Sequence, residues 1–146
     1  MIQLRTTKES ELEQIVALEQ KPDVHDYVTP HTLDEHQDDF YSDEVTYLTI
    51  VYNDMFAGFI ILVHHLEEQS IECLRIALGI RGKGVGQEAL TLMEGYCKRT
   101  YDIKRIWLDV FEFNQRGIHV YTKLGYQQFD TGEYEGNRLL YLEKIL

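Results

Sequence analysis

At 146 residues, with 44% apolar and 27% charged side chains, the chain suits a single domain spanning residues 1–146. Its formal net charge of −11 excludes the basic surface that nucleic acid requires, and no apolar run approaches the roughly 20 residues of a membrane helix. The N-terminus, Met1-Ile2-Gln3-Leu4-Arg5-Thr6, lacks a secretory layout, and Cys73 and Cys97 show neither zinc spacing nor a disulfide framework, so a cytoplasmic setting with reduced thiols is expected.

Residues 2–6 read as a strand. Thr6-x-x-Glu9 has the form of a capping box, and Leu12, Ile15 and Val16 give the next helix a short apolar stripe. Pro22 ends that element or lies just beyond it. Residues 21–31 read as an irregular loop with aromatic and histidine side chains, a binding segment or a plain connection. Thr32-x-x-Glu35 is a second capping box and opens a short acidic helix toward Phe40. Residues 45–52 and 57–63 are strand-like runs about the turn signal Asn53-Asp54. A third run follows at 71–78. From residue 87 to 100 the pattern is helical, with Ala89, Leu90, Met93 and Cys97 on one face. Residues 105–110 form the next strand. Asn114 suits the cap of a helix running to Leu124, with Gly125 just past its end. Strands at 126–131 and 138–144, joined by a turn containing Gly136-Asn137, close the chain. The order predicts an α/β (α+β) domain with a mixed, largely antiparallel sheet of about seven strands flanked by helices.

The densest chemical signal is Arg81-Gly82-Lys83-Gly84-Val85-Gly86, between a strand and a helix. Glycine lets a backbone approach a ligand and adopt positive φ, and the first N–H groups of a helix favour an anion. Arg81 and Lys83 concentrate positive charge there in an otherwise acidic chain. A P-loop needs Lys-Ser or Lys-Thr after its last glycine, whereas Gly86 is followed by Gln87-Glu88. The glycines at 82, 84 and 86 also miss the dinucleotide spacing. Taken alone, the loop serves an anion or a plain turn.

Arg81-x-x-Gly84-x-Gly86 resembles the acetyl-coenzyme A pyrophosphate loop of the GNAT superfamily of N-acetyltransferases. A second block resembles the strand, Asn-containing turn and Tyr-bearing helix that end the GNAT core. It runs from Trp107 through Asn114 and Tyr121 to Gly125-Tyr126. The resemblance implies acetyl-coenzyme A as donor, with Arg81, Gly82, Lys83, Gly84, Val85 and Gly86 at its pyrophosphate. It further implies that the strands at 71–78 and 105–110 splay apart, with the pantetheine arm pairing on the backbone of Ile76, Ala77 and Leu78. It places Asn114 near that arm, a role compatible with a helix cap, and Tyr121 as the acid for the leaving thiolate. Without the resemblance, Tyr121 reads as a core aromatic.

Amine acetylation also requires a base. Glu72 is the first candidate, at a position where some GNAT members carry a catalytic glutamate, and its alternation with Leu74, Ile76 and Leu78 predicts a shared face. It reads equally as a solvated strand end. His64, His65 and His119 compete with it, as does a water chain, and Asp109 reads as structural. No residue cluster has metal-ligand spacing, so no metal is expected, and no activated nucleophile is evident. Direct transfer in a ternary complex follows as the expected route. The alternative function is an acyl-coenzyme A-binding sensor without turnover. The acceptor is an amine on a small molecule, peptide or protein, and the net charge suits a cationic one. Neither a nucleic-acid nor a membrane partner is expected, and the chain is a monomer or homodimer.

Overall fold

The computed structural model describes every residue except Asp26 and Lys83, and only the backbone of His25. Alternating apolar residues build seven strands: β1 (Ile2–Thr6), β2 (Val45–Tyr52), β3 (Met55–His65), β4 (Ser70–Leu78), β5 (Arg105–Phe111), β6 (Gln127–Tyr134) and β7 (Asn137–Ile145). They form one sheet of order β1-β2-β3-β4-β5-β7-β6. Every neighbouring pair is antiparallel except β4–β5. The helices are α1 (Leu12–Glu19), α2 (Pro22–His25), α3 (Leu33–Phe40), α4 (Val85–Thr100) and α5 (Gln115–Lys123). Residues 21–31, expected as an irregular loop, thus contain a one-turn helix opened by Pro22, whose fixed φ suits a first helical position.

Two cores sandwich the sheet. On one face, Val85, Ala89, Leu90, Met93 and Cys97 of α4 and Tyr121 of α5 pack on Ile60, Leu62, Ile71, Cys73, Ile106 and Leu108. On the other, Leu12, Ile15 and Leu18 of α1 pack on Tyr47, Phe59, Ile61 and Ala77. The second capping box forms as expected: Glu35 N–H donates to Thr32 Oγ1 at 3.2 Å and Thr32 N–H to Glu35 Oε1 at 2.9 Å. The first does not. Glu11, rather than Glu9, accepts from a preceding backbone, Lys8 N–H at 2.8 Å, while also binding Arg5 in a two-pronged pair. The ion pair fixes Glu11 in a way that sequence spacing alone does not reveal. The last hairpin turns at Glu135-Gly136, both at positive φ, and Asn137 already belongs to β7.

A bulge in β4 has the largest effect. Cys73 pairs with Leu62 and Arg75 with Ile61, so Leu74 is extra. One inserted residue reverses the facing of everything on one side of it. Ile76 and Leu78 join the α4–α5 core, whereas Glu72 faces the α1–α3 side with His65. The expected common face for Glu72, Ile76 and Leu78 is therefore corrected.

Above Arg75 lies a buried polar network. Glu19 and His36 are fully shielded, and His36 Nε2 meets Glu19 Oε1 at 2.5 Å. Arg75 donates to Glu19 Oε2, His31 N–H reaches Oε1 at 3.2 Å, and Tyr47's hydroxyl meets His36 Nδ1 at 2.7 Å. Burial pushes the Glu19 carboxyl up, but His36 and Arg75 more than offset it, leaving its pKa below the ordinary value. A depressed pKa makes this contribution present above the unfolded carboxylate range and lost as pH falls through it. Glu19→Gln leaves Arg75 without its counter-charge in the interior. It should lower stability at pH 7 by about 3 kcal/mol in urea unfolding. The gap to the wild type should close only below the ordinary carboxylate range, as pH falls through the lowered pKa of Glu19.

Candidate active site

Strands β4 and β5 pair at only three positions: Ser70 with Arg105, Ile71 with Ile106, and Glu72 with Trp107. Beyond them the strands part. From Cys73 onward β4 is paired to β3 alone, and from Leu108 onward β5 is paired to β7 alone. Backbone donors and acceptors on the two inner edges therefore face a gap, and such groups require partners. The splay implied by the family resemblance is present.

A cavity of about 800 Å³ opens at this parting. Its walls include Ile76, Ala77 and Leu78 of β4, Arg81, Gly82, Gly84, Val85 and Gly86 of the loop, and Asn114 and Tyr121. Apart from Lys83, which lies outside the described residues, every residue expected to bind the donor lines one space. Gly82 and Gly84 have φ of +78° and +67°, and Gly84 caps α4 from the left-handed region. A Cβ at either would meet no atom within 4 Å, so these glycines answer to backbone conformation and to open space for a ligand. Arg81 is engaged: its Nε donates to Asp23 Oδ2 at 3.1 Å and its Nη2 to the Asp23 carbonyl at 2.8 Å. The loop is thereby tied to α2.

Asn114 serves as helix cap and cavity wall together. Its Oδ1 accepts Gly117 N–H at 3.0 Å, and it borders the cavity. Tyr121 is 9% exposed, and among the described residues its hydroxyl has no hydrogen-bond partner. Burial raises its pKa, and Cys73 and Asp109 add to the rise. In the same core Cys73 and Cys97 are buried free thiols. Burial pushes Cys97 up to about 12 and Cys73 higher still, so neither supplies a thiolate nucleophile at neutral pH.

Glu72 stands outside the cavity, at the last β4–β5 pair and on the opposite face of the sheet from Tyr121. Its Oε1 lies 3.0 Å from His65 Nε2, and the His65 ring packs on Trp107 at 5.6 Å. His64 points to the other face, where its ring meets Tyr101 and its Nε2 meets Thr46. His119 does not line the cavity. Among the described residues no group of His, Cys, Asp or Glu could hold a metal ion.

The sequence reading missed the far wall. Val24, Tyr27 and Val28, in and after α2, and Phe113 border the cavity. The rings of Tyr27 and Phe113 meet at 5.8 Å, and Phe113 stacks on Phe111 at 5.0 Å. Aromatic residues in the 21–31 segment were the available signal, but which surface they met depended on tertiary packing.

The family model described as "Acetyltransferase (GNAT) family" matches residues 12–126. The chain belongs to that family. The spermine/spermidine N(1)-acetyltransferase of Bacillus subtilis (strain 168) is 30% identical over 63 residues, covering 43% of this chain and 41% of the relative. The matched segment thus spans about four-tenths of that relative's length. Among solved structures, spermidine N-acetyltransferase from Vibrio cholerae, in complex with coenzyme A and spermine, superposes with a TM-score of 0.87 at 16% identity. That match covers 99% of this chain and 95% of the other. Aminoglycoside acetyltransferase AAC(6')-Ib in complex with coenzyme A gives 0.84 at 18%, with the same coverages. These likenesses establish the GNAT fold across nearly the whole chain.

At Gly84 a β-branched residue would be forced into positive φ, at about 1–3 kcal/mol of local strain. Gly84→Val should leave the sheet folded, shift the start of α4, and weaken acetyl-coenzyme A binding at least tenfold in calorimetry. An unchanged affinity would detach the loop from the donor.

Proposed function

We propose that this chain transfers an acetyl group from acetyl-coenzyme A directly to a primary amine of a cationic acceptor of the polyamine or aminoglycoside kind. The observation that carries this reading is the parting of β4 and β5 beside a glycine-rich helix start, with Tyr121 set into the same cavity. Acetyl-coenzyme A supplies the acetyl group as a thioester. Arg81, Gly82, Gly84, Val85 and Gly86 suit its pyrophosphate, with Lys83 beside them in sequence. The open edge at Ile76, Ala77 and Leu78 suits an extended amide-bearing arm, as in strand addition. Asn114 borders the same space.

Tyr121 acts on the leaving sulfur as a hydrogen-bond donor. Its raised pKa keeps the phenol protonated, and a full loss of the proton would leave a phenolate in the interior. The thiols have pKa values far too high to form an acyl-enzyme readily, which supports direct transfer. They also agree with a reducing, cytoplasmic setting.

The acceptor side is the opposite face, where Glu72 contributes negative charge. A net charge of −11 concentrates cations generally. The similarity to enzymes named for spermine, spermidine and aminoglycosides supports a polycationic amine.

Coenzyme A release with spermine, spermidine, an aminoglycoside, free amino acids and a peptide should show turnover on the polycations. Binding of acetyl-coenzyme A with no release on any amine would instead indicate a sensor. Tyr121→Phe should lower kcat by about 10²-fold, within the range for proton-donating groups, with little change in donor affinity. Single-turnover rates should show the same loss.

A further inference from the structure

We infer that Asp109 of β5, rather than Glu72 of β4, takes the proton from the acceptor amine. This rests on the acetyl-transfer reading above and names the group that completes it.

The strand register gives Asp109 its place. Trp107 is the last β5 residue paired with β4, and Asp109 is the next β5 residue on the same face. It therefore stands at the first step of the parting. On β4 the corresponding stretch carries the bulged Leu74. Asp109 is exposed, and among the described residues its carboxylate accepts no hydrogen bond and makes no ion pair. Glu72 differs on each count. It sits within the paired segment, its side chain is 15% exposed, and His65 occupies one of its oxygens.

The surroundings make Asp109 a stronger base than an ordinary aspartate. Although the residue keeps a solvent-facing surface, partial desolvation by its neighbours raises its pKa, Glu72 raises it further, and Arg75 lowers it. Arg75 is already committed to Glu19. From β7 the register partner of Asp109 is Tyr141. From α5, Tyr121 is close enough to feel the Asp109 charge. Glu72 thus contributes by keeping Asp109 basic. Asp109 and Tyr121 stand on opposite faces of the sheet at the parting: Tyr121 lines the cavity, whereas Asp109, like Glu72, lies outside its lining and would meet the acceptor from the α1–α3 face.

A primary ammonium with a pKa of about 10.4 is neutral in roughly one molecule in 10³ at pH 7, so a positioned base has much to supply. The ammonium gives one proton to Asp109, and the freed lone pair forms the carbon–nitrogen bond to the acetyl carbon. As the carbon–sulfur bond breaks, sulfur keeps the bonding electrons. The second nitrogen proton ends on sulfur, giving amide and free thiol, and Asp109 releases the first proton to solvent. No oxidant or further reactant is needed.

The test is kcat/KM against pH, from about pH 6 to about pH 9, for the wild type and three variants with spermine as acceptor. With a carboxylate base and an ammonium substrate the wild-type profile should be flat in this range. Asp109→Asn should lose about 10²-fold or more at pH 7 and recover about tenfold per pH unit, because it depends on amine already neutral. Asp109→Glu should keep the flat shape at a reduced level, and Glu72→Gln should also stay flat. Coenzyme A affinity in each variant reports an intact fold. An Asp109→Asn profile parallel to the wild type would overturn the assignment, as would a tenfold-per-unit slope in Glu72→Gln or Asp109→Glu. A wild type that turns over no amine in the wider panel would overturn the acetyl-transfer reading, and the assignment with it.

Discussion

The rest of the site depends on an interrupted ladder of hydrogen bonds. A sheet normally pairs its interior strands along their length, and an unpaired backbone group out of water is costly. Here β4 and β5 share three positions and then separate. Two features hold β4 on its outer course. The Leu74 bulge bends it, and Arg75 is drawn to Glu19 on the α1 side. Gly58 lets β3 follow: a Cβ there would lie 2.2 Å from the Ala77 carbonyl, so only glycine permits that approach. Stability supplied by the flanking cores keeps the gap open, and the gap gives a ligand backbone groups to bind.

Chemistry is then divided by the two faces of the sheet. The α4–α5 face provides the glycine-rich helix start, the buried Tyr121 and the inert thiols. The α1–α3 face provides carboxylates and an anchored arginine. A positive loop and a negative face lie on one small domain of net charge −11, and this separation suits an anionic donor and a cationic acceptor approaching from different directions.

Much of this was legible in the sequence because it is local. Periodicity gave the strands and every helix except α2 to within a few residues, and Asn114 announces its helix in both sequence and structure. The glycine loop was legible because few residues tolerate φ near +70°. The facing of Glu72 was not. It hinges on one unpaired residue, Leu74, whose side chain carries no signature of a bulge. The Glu19–His36–Arg75 network was hidden for a related reason, since it joins α1, α3 and β4 across the chain. Asp109 looked structural because simple alternation groups it with Trp107 and Phe111. Its place just past the last β4–β5 pair is a long-range fact.

The clasp between Asp23 and Arg81 has a consequence for how the loop meets an anion. A phosphate arriving there finds two of the guanidinium's five N–H donors engaged by Asp23 and shares the cation with that carboxylate rather than meeting a bare one. Both side chains are about half exposed, so the sharing involves little change in solvation. Added salt screens the internal pair as well as the incoming one, so the two effects partly cancel. The loop should therefore respond to ionic strength less steeply than its count of positive residues suggests. Because Asp23 belongs to α2, the same contact joins the anion-facing loop to the opposite wall of the cavity.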